Sequence, residues 1–169
     1  MKTLVLGMGN PILGDDAVGI RLARDLHARI GEPPGVDFIE ECCVGGLNLL
    51  DQVAGYERLV VIDSIKTVAG RPGTWYRFDA ASLRETMNLR NVHDTNFATA
   101  LELGRAMGMI VPDEAENHIF AVEIAVNDTF SEELSPGLRE AYPELAEEII
   151  GEIAQLLRHE EAPPRPGTG

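Results

Sequence analysis

Apolar residues fall along this chain in alternating short runs and helical periods. Thr3 to Leu6 is an apolar run that ends in glycines and reads as a first buried strand. From Ala17 to Ile30 the apolar positions Val18, Leu22, Leu26 and Ile30 recur at steps of four, one face of a helix. Gly31, Pro33, Pro34 and Gly35 stop that helix. Val36 to Glu41 is a second strand and Leu47 to Val53 a brief helix. Leu59 to Ile62 is a third strand, apolar on consecutive residues as befits a strand covered on both faces. Gly70 to Gly73 is a turn, and Thr74 to Phe78 reads as a strand. Ser82 to Arg90 is ambiguous, with room for one irregular helical turn. Thr95 to Met107 reads as a helix with Phe97, Ala100, Leu101 and Gly104 on one side, and His118 to Val126 as a last strand. Ser135 to Arg158 is a long helix carrying Leu138, Ala141, Leu145, Ile149, Ile153 and Leu156 at steps of three and four. Pro136 suits its first turn, whereas Pro143 is expected to kink it or split it in two.

This alternation predicts an α/β fold, a mainly parallel sheet with helices on both faces, in a single domain over residues 1–158. The tail, 159–169, is expected to be disordered, since from Ala162 onward it has no apolar face. In such sheets ligands gather at the carboxyl ends of the strands, so chemistry is sought just after Leu6, Glu41, Ile62 and Val126.

Composition narrows the functional classes. The chain has 169 residues, with 14 basic against 28 acidic side chains and a net charge of −14. A generic nucleic-acid binder needs cations to replace counterions along the phosphates, so this balance argues against nucleic acid and, equally, against an anionic membrane surface. The apolar runs fall far short of the roughly 20 residues of a membrane helix. The apolar stretch at the N-terminus is too brief for a signal peptide, and the protein is expected to be cytoplasmic. Cys42 and Cys43 are adjacent and cannot staple distant segments, which fits a reducing compartment.

Candidate chemistry clusters at the strand exits. Gly7 and Gly9 have the separation of a dinucleotide turn, but Ile12 stands where the third glycine belongs and Pro11 interrupts the turn. Asp15 and Asp16 then occupy the helix start that would receive pyrophosphate, and they would repel it. One acid there is explained by helix capping; we assign the cap to Asp15 and leave Asp16 free to point elsewhere. Asp63 follows the third strand, either as a carboxylate at the rim of the ligand crevice or as an Asx-type turn. Ser64 beside it lacks the glycines of a nucleophile elbow, which argues against a serine hydrolase. His93 precedes a helix, as an ordinary loop residue with Asp94 as cap or as a site residue. His27 is expected in solvent, His159 in the last turn of the final helix, and His118 carries no specific signal. Asp16, Asp63 and His93 together are oxygen and nitrogen donors suited to a divalent metal such as nickel or zinc.

With those residues in hand, the chain resembles the maturation endopeptidases of nickel–iron hydrogenases. The likeness rests on Leu4-Val5-Leu6-Gly7-Met8-Gly9-Asn10 followed by Asp15-Asp16-x-x-Gly19, on Val60-Val61-Ile62-Asp63, and on His93 ahead of a helix. It implies a three-layer α/β/α sandwich with a mostly parallel central sheet. The implied activity is removal of a C-terminal peptide from a hydrogenase large-subunit precursor once nickel has been inserted. Asp16, Asp63 and His93 would bind that nickel, which belongs to the substrate and acts as the recognition signal. The resemblance also implies metal-directed hydrolysis of one peptide bond, with Asp16 or Glu41 as the base and Asp63 completing the site. Where the family often has an acid followed by Gly-Gly-Thr, this chain has Glu41-Cys42-Cys43-Val44-Gly45-Gly46. The cysteines fit small strand-end residues, or soft ligands during metal recognition. Two other functions stay open: a nickel-binding accessory module without peptidase activity, and a nucleotide-binding enzyme. The client hydrogenase and the oligomeric state are not legible in the sequence.

Overall fold

In the computed structural model, residues 1–79, 92–125 and 129–158 are described, with the backbone alone at 46–47 and 92–98. Five strands form one sheet: β1 (Thr3–Met8), β2 (Val36–Cys42), β3 (Arg58–Ile65), β4 (Trp75–Asp79) and β5 (Asn117–Glu123). Their order across the sheet is β2-β1-β3-β5-β4. The first four in that order run parallel, and β4 pairs antiparallel with β5 at the edge. The helices are α1 (Val18–Ile30), α2 (Leu50–Val53), α3 (Val92–Ala106) and α4 (Pro136–Arg158), with a 3-10 turn at Gly14–Ala17 leading into α1.

Burial explains the layering. Along β3, Val60 and Ile62 face one side and pack with Val18, Leu22 and Leu26 of α1 and Leu138, Leu145 and Ile149 of α4. The alternate residues Leu59 and Val61 face the other side and pack with Leu50 and Val53 of α2 and Ala100 and Leu101 of α3. Successive strand side chains leave opposite faces, so an unbroken apolar strand is what a sheet between two helical layers requires. The α/β/α sandwich expected from the sequence is the architecture found.

Several local expectations are corrected. Pro143 does not split the last helix, which runs unbroken from Pro136 to Arg158. Leu138 before it and Leu145 and Ile149 after it are buried in the same core, and that packing outweighs the hydrogen bond a proline cannot donate. His27 is only partly exposed: its Nδ1 lies 2.6 Å from a Glu40 carboxylate oxygen and its ring stacks on Phe38 at 4.2 Å. The helix expected from Thr95 is already formed at Val92, so His93 and Asp94 lie within it and Asp94 is not its cap. The ambiguous stretch from Ser82 to Arg90, Val126, and the tail with His159 fall outside the described residues.

Chain order sets where a ligand crevice opens. From β1 the chain crosses through α1 on one face to β2, then returns through α2 on the other face to β3, on the far side of β1. The carboxyl ends of β1 and β3 therefore flank a topological switch point, where connections leave in opposite directions and a cleft remains.

Candidate active site

At the end of β1 the chain turns sharply. Gly9 has φ +138°, a conformation open to glycine, and a Cβ there would run into the Asp16 carbonyl. Gly19 meets the same limit in the first turn of α1, where a Cβ would collide with the carbonyls of Met8 and Ile62. The glycines of the opening motif thus let α1 lie against β1 and β3, and no phosphate is needed to explain them.

Asp15 and Asp16 separate within this turn. Asp15 is 1 % exposed and does not cap its own helix, correcting the sequence-based assignment. Its carboxylate accepts the Ser135 N–H at 2.6 Å and the Ser135 hydroxyl at 2.8 Å, just ahead of α4. The same loop is held by the Gly14 N–H to the Ser131 carbonyl at 2.7 Å and the Ser131 N–H to the Ile12 carbonyl at 2.9 Å. Asp16 turns the other way. One of its oxygens accepts the Asn10 N–H at 2.9 Å and the other accepts the Ser64 hydroxyl at 2.7 Å.

Asp63, on β3 directly beyond the Gly7–Ile62 register pair, is 7 % exposed and accepts the Ser64 N–H at 2.7 Å. Asp16 and Asp63 line one cavity of about 160 Å³, together with Leu13, Cys42, Cys43 and Val44. The Gly9 N–H, 3.3 Å from the Cys42 carbonyl, ties the two walls together. Sites for whole organic ligands usually span about 300–1,000 Å³. The cavity therefore suits an ion and a few ligand atoms far better than a dinucleotide.

The remaining candidates are placed as follows. Glu41 is exposed and outside the cavity lining, with its carboxylate 2.7 Å from the Arg24 guanidinium. His93 is on α3, whose Ala100 and Leu101 pack on the same sheet face as Leu59 and Val61; its side chain is outside the described set. Among the described residues no three of His, Cys, Asp and Glu form a group able to hold a metal. Burial pushes the Cys42 thiol up from its ordinary value, aided by the charge of Asp63. Cys43 is likewise pushed up, first by burial and then by Glu41 and Asp16. Both thiols are thereby kept protonated at neutral pH, which removes the thiolate a cysteine nucleophile needs. His118 lies near the amino end of β5, away from the cavity.

A model of the hydrogenase maturation protease family matches residues 20–152. The chain belongs to that family. Alignment with the hydrogenase 2 maturation protease of Escherichia coli (strain K12) gives 25 % identity over 170 residues, 95 % of this chain and 100 % of that one. The fold is similar to the hydrogenase maturating endopeptidase HybD from E. coli, with a TM-score of 0.76 and 24 % identity over 95 % of this chain and 94 % of that one. It is also similar to the NiFe hydrogenase maturation protease HybD from Thermococcus kodakarensis, with a TM-score of 0.66 and 25 % identity over 93 % and 99 % of the two chains. This maturation protease is a peptidase, and the nucleotide reading of its glycine turn is superseded.

Residues that sequence reasoning missed are those whose partners are remote. Ser64 lacks the setting of a nucleophile, yet its hydroxyl binds Asp16 across 48 residues, and nothing around Ser135 in the sequence marks it as the partner of Asp15. The buried acid Glu123, at the carboxyl end of β5, accepts the Thr67 N–H at 2.7 Å and its hydroxyl at 3.0 Å, so it anchors the loop after β3.

Proposed function

We propose that this peptidase removes the C-terminal peptide of a hydrogenase large-subunit precursor, and that nickel already inserted in the precursor is the signal it recognises. The observation that carries the reading is the convergence of Asp16 and Asp63 on one small cavity at the switch point of the sheet. Its relatives, maturation proteases of hydrogenase 2 and of a NiFe hydrogenase, support the same substrate class.

The donors suit such an ion. Two carboxylates face the cavity, and with the His93 imidazole they would be the oxygen and nitrogen donors that a borderline divalent metal accepts. In this reading Asp16, Asp63 and His93 grip the nickel that the substrate carries. Held there, that nickel would supply Lewis-acid polarisation of the scissile carbonyl. The chain's own residues do the rest. Asp16 and Asp63 orient the precursor by its metal, and a cavity carboxylate takes the proton of the attacking water as the new C–O bond forms. That proton then passes to the departing amine nitrogen as the C–N bond breaks. Of the two acids named for this task, Asp16 lines the cavity, whereas Glu41 is paired with Arg24 outside it. A precursor without nickel offers nothing for the acids to grip, so cleavage follows metal insertion. We place this work in the cytoplasm, in keeping with the free thiols of Cys42 and Cys43.

The test is to incubate nickel-loaded and nickel-free precursor with the protein and weigh the large subunit by mass spectrometry. Loss of a C-terminal peptide in the loaded sample alone is the expected result. Binding without any mass change makes the protein a non-proteolytic accessory module and overturns the proposal.

A further inference from the structure

We infer that Ser64 is a positioning residue that sets Asp16 and Asp63 relative to each other, and that cleavage depends on its hydroxyl. The inference rests on the peptidase reading above. Ser64 directly follows Asp63 on β3, and neighbouring strand residues project to opposite faces of a sheet. Asp63 thus shares the face of Leu59 and Val61, which is covered by α2 and α3. Ser64 shares the face of Val60 and Ile62, which is covered by α1 and α4. From there its hydroxyl donates to Asp16 at 2.7 Å, while its backbone N–H donates to Asp63 at 2.7 Å. One residue therefore fastens a carboxylate from each side of the sheet.

The physical need for such a fastening is plain. Two acids facing one cavity repel each other, and Asp16 stands on a short 3-10 turn rather than in a long element. Its second oxygen is held by the Asn10 N–H at 2.9 Å, so donors from β3 and from the glycine turn together define where the carboxylate points. Ser64 is 3 % exposed and Asp16 partly so, and a charge-assisted hydrogen bond partly shielded from water is stronger than one at the open surface. The hydroxyl holds Asp16 in the orientation that the reaction uses, while the peptide N–H would hold Asp63 whatever side chain stood at this position.

The experiment uses the full chain with Ser64→Ala and Ser64→Thr, both of which keep that N–H. Cleavage of nickel-loaded precursor is followed for kcat and KM separately, and urea unfolding reports stability. Partners that orient a metal-binding side chain typically carry about 10–100-fold in activity. We expect Ser64→Ala to lose that much in kcat with KM little changed, and Ser64→Thr to recover most of the rate. A packing role predicts the reverse order, because threonine adds a methyl group at a buried position. Should Ser64→Thr unfold more readily, Ser64→Cys, nearly isosteric but a weak donor, takes its place and is expected between wild type and Ser64→Ala. A Ser64→Ala protein that cuts at the wild-type rate overturns the inference alone, as does a folded Ser64→Thr protein no faster than Ser64→Ala. A wild-type protein that leaves the loaded precursor whole overturns the peptidase reading, and this inference with it.

Discussion

The Asp15 carboxylate receives both the backbone N–H and the hydroxyl of Ser135, at 2.6 and 2.8 Å, across 120 residues of sequence. This clasp ties the loop that carries Asp16 to the start of the last helix. Hydrogen bonds to a buried charge contribute about 1.5–3 kcal/mol. Asp15→Ala should therefore lower unfolding free energy by about 2–3 kcal/mol, read in urea. Cleavage should fall as well, because the neighbouring Asp16 loses its footing.

Asp63→Asn separates charge from shape. The amide oxygen can still accept the Ser64 N–H, so the urea midpoint should hardly move. The rate of precursor cleavage should drop by at least the roughly 10–100-fold that loss of even an outer partner of a metal ligand costs, because a neutral amide grips a metal less well than a carboxylate. Cleavage at the normal rate would remove Asp63 from the site.

Gly19→Ala tests the close approach of α1 to the sheet. The added methyl group must displace both the Met8 and the Ile62 carbonyls. Overpacking of this kind costs about 1–3 kcal/mol, and the same displacement should loosen the Asp16 turn. Denaturation curves and cleavage rates of one preparation check both effects.

Cys42→Ala combined with Cys43→Ala should keep cleavage within a few-fold of wild type. Burial and the nearby carboxylates hold both thiols in the protonated form, so neither serves as nucleophile. Complete loss of activity in a variant that still folds would assign them a chemical role.

Tyr142 supplies a pH dependence. Burial first, and then its 2.6 Å hydrogen bond to Asp25, push the phenol above its ordinary value of 10.0. Below that pH the folded and unfolded chains both keep the proton, and the stabilisation is complete. Above it the unfolded chain ionises while the folded one does not, so stability declines as the pH rises through and beyond 10.0. Tyr142→Phe should cost about 1 kcal/mol at neutral pH and flatten this alkaline decline, as read by urea unfolding between neutral pH and the phenol range.

Much of the architecture was legible because burial writes itself locally. Leu59 to Ile62 could only be a strand covered on both faces, and Val18, Leu22 and Leu26 could only be one buried helical stripe. Asp16 and Asp63 were legible as acids at strand exits, and parallel strands bring their exits to one edge of the sheet. The destination of each side chain was not legible. Asp15 reads as a cap for its own helix and instead serves Ser135; His27 reads as solvated and instead stacks on Phe38; Pro143 reads as a kink or a split, and the helix runs through it without splitting.

The chain's own order of apolar and polar residues determined the α/β layering and the edge at which chemistry had to occur, since each follows from which residues avoid water. Only the tertiary structure decided that Asp16 and Asp63 share one cavity, that Glu41 is drawn off by Arg24, and that the Ser64 hydroxyl holds Asp16. Those outcomes depend on hydrogen bonds and ion pairs between segments far apart along the chain. Such partners are selected when the layers pack, and no local spacing encodes them.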